Sequence, residues 1–253
     1  MESPSEGVFK SQGDVIVITG GANGIGRALA HAASEAGASV IVCDRDETAM
    51  SSLREENAHI KTVPLDVSDR ERVLEVFGEI ERSSGSIDGL VCAAAVQPRV
   101  KVADIDPVTW RRVVDVNLNG VVWCYQAVIR GMIARRRGSI IAFSSGLAHQ
   151  GWPEASAYSA TKAALIAFVK SAAKEVAKHR VRVNLVWPGV IDTPQYRAAN
   201  PAGDHNHWQA TTGVGQPADV VGPLMFLLSD AATMTASVLS RDFVYSAVDP
   251  EQT

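Results

Sequence analysis

Among the four tyrosines of this 253-residue chain, only Tyr158 has a lysine four positions on, in Tyr158-Ser159-Ala160-Thr161-Lys162. On a helix, four residues rise about 6 Å and return to the same face, so phenol and ammonium become neighbours. A free phenol titrates near 10 and is a poor base at neutral pH. A cation beside it favours the phenolate, and about 1.4 kcal/mol of such attraction makes the phenol tenfold more acidic. Tyr158 thereby becomes a candidate general acid and base. The same spacing serves ordinary surface pairs, so further motifs must decide between the two readings.

A second candidate lies upstream in Thr19-Gly20-Gly21-Ala22-Asn23-Gly24-Ile25-Gly26, between an apolar run and a helical pattern. Small residues there let the backbone turn tightly and approach a pyrophosphate, whose charge sits at the helix N-terminus. Glycines also serve plain strand–helix turns, and it is the flanking strand and helix that favour a phosphate cradle. Asp44 follows twenty residues beyond Gly24 and closes the next apolar run. A carboxylate there is placed to take the adenosine ribose hydroxyls. The alternative for Asp44 is to cap the next helix, which Asp46 can also do. A ribose-binding carboxylate repels a 2′-phosphate, and the glycine loop has no basic residue, although Arg45 could reach such a phosphate. NAD is therefore the expected cofactor, held by Gly20, Asn23, Gly24, Ile25, Gly26, Asp44 and Arg45.

Positioning these groups requires alternating elements. Apolar runs at 14–19, 39–43, 60–64, 87–92, 139–143 and 181–186, with a shorter one near 238–242, read as strands. Helical patterns lie near 25–36, 46–57, 69–83, 107–134, 155–178 and 217–229. The strands are apolar throughout rather than alternating, as burial on both faces of a parallel sheet demands. Strand–helix repetition with right-handed crossovers gives an α/β, doubly wound parallel sheet of about seven strands flanked by helices. With no linker or internal repeat, residues 13–253 form a single domain behind an N-terminal extension at 1–12. Asp106-Pro107 opens the long helix at 107–134, and Arg135-Arg136-Arg137-Gly138 closes it with cations at the negative dipole end and a glycine stop.

Taken together, the TGxxxGxG loop and the YxxxK pair resemble the short-chain dehydrogenase/reductase family, from about Gly13 to Asp242. The resemblance implies a Rossmann-like fold and hydride transfer between NAD and a secondary alcohol or ketone. Ser145, thirteen residues before Tyr158, matches the family's catalytic serine, and Asn117 in Asp115-Val116-Asn117-Leu118-Asn119-Gly120 its catalytic asparagine. The implied roles are proton transfer at Tyr158, stabilisation of substrate oxygen by Ser145, tuning of Tyr158 and ribose binding by Lys162, and a water held by Asn117. Asp66-Val67 resembles the adenine-contacting pair, and Ala94 is expected to line the nucleotide through its main chain. Pro188, Gly189, Ile191 and Thr193 resemble the segment that closes over nicotinamide, with a substrate lid near 193–214. Tyr196, Trp208, Trp152 and Pro153 are candidate wall residues. The family implies a homo-oligomer, a tetramer or dimer built through the helices at 107–134 and 155–178.

Two segments depart from the family pattern. Cys92-Ala93-Ala94-Ala95 stands where an NNAG-like turn is usual, and Ser240-Arg241-Asp242-Phe243-Val244 replaces a glycine-rich close. These keep open a dinucleotide-binding or scaffold protein without turnover. Within the enzyme class, the alternative is an NADPH-dependent ketoreductase acting on acyl thioesters or similar.

Composition narrows the partners. With 24 basic and 28 acidic side chains the net charge is −4, so counterion release at nucleic acid gives little, and the arginine run reads as a helix end. No stretch approaches the ~18 apolar residues of a membrane span. Three cysteines without CxxC spacing and an acidic N-terminus lead to the expectation of a cytoplasmic protein. Asp204-His205-Asn206-His207 has no third well-placed ligand and reads as a solvated loop, not a metal site.

Overall fold

The computed structural model describes residues 13–200 and 202–241. The expected extension at 1–12 and the altered close from Asp242 onward lie outside the described residues. The chain begins β1 (Val15–Thr19), α1 (Gly24–Glu35), β2 (Ser39–Asp44), α2 (Glu47–Glu56), β3 (Lys61–Pro64), α3 (Arg70–Ser84) and β4 (Gly89–Cys92). It continues through α4 (Pro107–Val114), α5 (Gly120–Arg135), β5 (Gly138–Phe143), α6 (Leu147–Gln150), α7 (Ser156–Val176) and β6 (Val181–Trp187). Then come α8 (Pro194–Ala199), α9 (Ala202–Thr211), α10 (Ala218–Leu228) and β7 (Val238–Ser240).

Seven parallel strands form one sheet in the order β3-β2-β1-β4-β5-β6-β7. Every residue of β1, β4 and β5 is buried, because helices cover both faces. One layer packs around Phe77, Met132 and Leu165, the other around Leu29, Met50 and Leu224. Aspartates start the helices as N-caps: Asp46 accepts from the Ala49 N–H, Asp69 from Arg72, and Asp106 from Val108 and Thr109. Among the described residues no helix is long and apolar enough to cross a membrane.

Three expectations need correction. The helix expected at 107–134 is interrupted by a π turn over Asp115–Asn119, which separates α4 from α5. Apolar periodicity continues across it, so the extra residue per turn leaves no mark in the pattern. The stop after α5 is Arg136 in the left-handed region (φ 54°), while Gly138 already belongs to β5. The arginines there bind other elements: Arg135 pairs with Glu81, Arg136 donates to the Lys178 carbonyl, and Arg137 meets Asp14, Asp88 and Asp230. Finally, Asp204-His205-Asn206-His207 lies on α9 rather than in a loop. Thr193 caps α8 by accepting from Tyr196, and α9 is held by side chains remote in sequence, Asp204 by Arg99 and Trp208 by Trp152.

Candidate active site

A cleft of about 440 Å³ opens at the C-terminal ends of the strands, where chain order reverses between β1 and β4. Every residue of the expected cofactor set, from Gly20 to Thr193, lines it, as do Ser145, Tyr158 and Lys162. Asn117 does not.

The glycine loop is a tight cradle. Gly20 (φ +67°) lies so close to Ala94 that a Cβ would stand 2.5 Å from its N and Cα, and one on Gly26 would stand 2.5 Å from the Gly20 carbonyl oxygen. Gly24 (φ +52°) abuts the Thr193 side chain, where a Cβ would be 2.9 Å away. Asn23 makes no side-chain cap on α1, so the leading N–H groups of that helix stay available to an anion. These features fit a dinucleotide pyrophosphate.

Asp44 and Asp46 make different hydrogen bonds. Asp46 is the cap of α2 and also accepts from the Asn23 amide at 3.2 Å. Asp44 ends β2 in the cleft, where its carboxylate accepts from the N–H groups of Ala22, Arg45 and Asp46 at 3.0, 2.8 and 3.1 Å. These bonds fix the acid beside the cradle. Burial works to raise the Asp66 carboxyl, but hydrogen bonds from Arg112 and Ser68 outweigh it and hold the group down at about 2. Arg112 lines the cleft too, and no motif in the sequence marks it.

Tyr158 and Lys162 sit one turn apart on α7, with Nζ 5.5 Å from the phenol ring centroid. The ammonium donates to the Phe143 carbonyl at 2.9 Å. The expected lowering of the tyrosine is not found. Burial pushes Tyr158 up to about 12 against a hydrogen bond with Ser145, and pulls Lys162 down to about 8. Desolvation opposes both charged forms and is the largest cause at each. Ser145 follows β5, and its Oγ accepts from the Leu147 N–H at 3.3 Å.

The Asn117 side chain is engaged by the main chain of the loop after β4. Fully buried in the π turn, its Oδ1 accepts from the Val96 N–H at 2.8 Å and its Nδ2 donates to the Val96 carbonyl at 2.9 Å. It clamps the loop after β4 from behind. That loop holds the atypical alanines, and none of Ala93, Ala94 or Ala95 has a positive φ, so the missing glycine is tolerated. All three alanines line the cleft. Cys43, Cys92 and Cys124 are free, buried thiols, of which Cys43 also lines the cleft.

Tyr196 and Trp208 line the cleft, as expected. Trp152 instead packs behind Trp208, with ring centroids 4.5 Å apart, and Pro153 does not line the cleft. Gln97, Gln150 and Trp187 line it as well. Sequence reasoning misses them because isolated amides and a strand-end tryptophan carry no spacing signal.

Residues 14–203 match the family model described as short chain dehydrogenase. The chain is 36% identical over 242 residues to a cis-4-hydroxycyclohexanecarboxylate dehydrogenase of Sinomonas cyclohexanicum, covering 92% of this chain and 97% of that one. It is 33% identical over 246 residues to a galactitol 2-dehydrogenase of Rhizobium johnstonii, covering 92% and 95%. The crystal structure of gox2181 superposes with a TM-score of 0.84 at 34% identity, over 91% of this chain and 95% of that one.

Proposed function

We propose, from the premise that the chain belongs to the short-chain dehydrogenase family and is an oxidoreductase using a nicotinamide dinucleotide, that it interconverts a secondary alcohol and its ketone with NAD. The observation that carries this reading is the convergence of Ser145, Tyr158 and Lys162 on a cleft continuous with the glycine cradle. The bound nicotinamide supplies the hydride acceptor for oxidation and the hydride donor for reduction. Gly20, Gly24 and Gly26 let the main chain approach its pyrophosphate, while Asp44 takes the adenosine ribose and Thr193 borders the nicotinamide end. Ser145 holds the substrate oxygen where alkoxide-like charge develops. Tyr158 accepts the hydroxyl proton in oxidation and returns it in reduction. A phenol pushed to about 12 is ready to donate, so oxidation needs prior loss of that proton and accelerates as pH rises. Asn117 is a positioning residue that acts through the Val96 loop.

Both named relatives carry alcohols in their names, a hydroxycyclohexanecarboxylate and galactitol, which supports an alcohol substrate here. Asp44 and Asp46 in the cleft support NAD over NADP by repelling a 2′-phosphate. Arg45 favours the second reading, an NADPH-dependent ketoreductase: it lines the same end, and its guanidinium has no hydrogen-bond partner among the described residues. The proposed assembly is a homo-oligomer, supported by the exposed Val108 and Trp110 on α4. The test is turnover of a secondary-alcohol panel with each cofactor, followed by absorbance of the reduced form. Preference for NADP overturns the cofactor assignment. NAD binding without turnover on any alcohol overturns the enzymatic reading in favour of a scaffold.

A further inference from the structure

The charged side chains lining the cleft divide unevenly. Asp44, Arg45, Asp46, Asp66 and Arg112 belong to the β2–β3 side. On the β5–β6 side Lys162 alone is charged among the described residues, and its Nζ already donates to the Phe143 carbonyl. The substrate end is nevertheless polar. Gln97 and Gln150 line it, and neither side-chain amide has a hydrogen-bond partner among the described residues. The same cleft is lined by two aromatic residues whose polar atoms are engaged elsewhere: Tyr196 Oη with His205 Nδ1 at 3.0 Å and Trp208 Nε1 with Asn200 Oδ1 at 3.4 Å. What these rings present is carbon.

We infer that this end recognises a neutral polyhydroxylated alcohol, an open-chain polyol or uncharged sugar, with Gln97 and Gln150 as its specificity-determining residues. The inference rests on the oxidoreductase reading above. Such a substrate carries both surfaces the site requires, C–H groups for the Tyr196–Trp208 wall and hydroxyls that donate to and accept from the two amides. A hydrocarbon alcohol would leave the half-buried Gln97 amide unpaired, a loss of roughly tenfold or more in affinity, whereas the exposed Gln150 amide keeps contact with water and loses less. A hydroxy acid would bring a carboxylate to a wall with no available cation. Arg99, the nearby guanidinium, does not line the cleft: its Nη2 donates to Asp204 at 3.0 Å and its Nε lies 4.0 Å from the Glu154 carboxylate, while Nε and Nη1 are buried without a hydrogen-bond partner among the described residues.

The experiment compares kcat/KM for sorbitol and mannitol with that for cyclohexanol and 3-hydroxybutyrate, in the wild type and in Gln97→Leu and Gln150→Leu. Neither amide supports the fold through a hydrogen bond, so both variants should fold. The hexitols are expected to exceed the other two by at least about tenfold; Gln97→Leu should lower the hexitol-to-cyclohexanol ratio roughly tenfold and the exposed Gln150→Leu by a smaller factor. A preference for cyclohexanol or 3-hydroxybutyrate, or a ratio unmoved by both substitutions, overturns the inference. Hexitol quenching of tryptophan fluorescence in the NAD-loaded Tyr158→Phe protein separates the two readings. Amide-dependent binding without wild-type turnover removes the oxidoreductase reading and leaves the recognition intact. Turnover of other alcohols with no hexitol binding removes the recognition alone.

Discussion

Replacing Asn117 with alanine separates a structural clamp from a participant in proton transfer. The side chain makes two main-chain hydrogen bonds to Val96, at 2.8 and 2.9 Å, from a fully buried position. Its loss leaves the Val96 N–H and carbonyl without those partners. Each lost bond costs about 1 kcal/mol where water can replace it and up to about 3 where it cannot. Val96 is only partly buried, so the sum is about 2–4 kcal/mol. The same loop carries Ala94 against Gly20, so loosening it should also raise the KM for NAD. Urea unfolding gives the stability change and steady-state kinetics the split between KM and kcat. Asn117→Asp should be at least as harmful, since it keeps an acceptor for the Val96 N–H but loses the donor and buries a charge. An alanine variant with an unchanged urea midpoint and a kcat reduced a hundredfold would refute the clamp and restore a direct role.

Tyr158→Phe should reduce kcat by roughly 10²–10⁴ while leaving NAD affinity near wild type, checked by single-turnover kinetics and cofactor titration; near-normal kcat removes the proposed acid–base group. Gly20→Ala places a methyl 2.5 Å from Ala94 backbone at φ +67°, and should abolish measurable NAD binding or unfold the β4 loop, as titration and circular dichroism would report. Lys162 titrates near 8 in the folded chain against 10.5 unfolded, so the unfolded chain holds the extra proton between those values. Stability should therefore rise with pH across that window, by about 3 kcal/mol, and level off at its lower value below 8, where both states hold the proton. Lys162→Met should flatten that rise relative to wild type in urea titrations at pH 7, 8.5 and 10; parallel curves would contradict the buried lysine.

Features with local causes are legible in the chain alone. Burial on both faces requires unbroken apolar runs, so the central strands can be read directly, while the partly exposed edge strands β3 and β7 are read from shorter runs and, like β1 and β4, end up shorter than expected. Helical periodicity alone makes Tyr158 and Lys162 neighbours, and tight turning alone demands Gly20 and Gly24. Other features depend on partners distant along the chain and emerge only when the fold brings them together. The π turn at Asp115–Asn119 is silent in hydropathy, yet it seats Asn117 against Val96. Helix α9 reads as polar loop because Arg99 and Trp152, which hold it, lie about 50 to 100 residues upstream. The charge balance of the Tyr158–Lys162 pair escapes a sequence reading for a related reason. Spacing gives the distance between two groups, whereas their protonation depends on how much water the whole fold removes from around them.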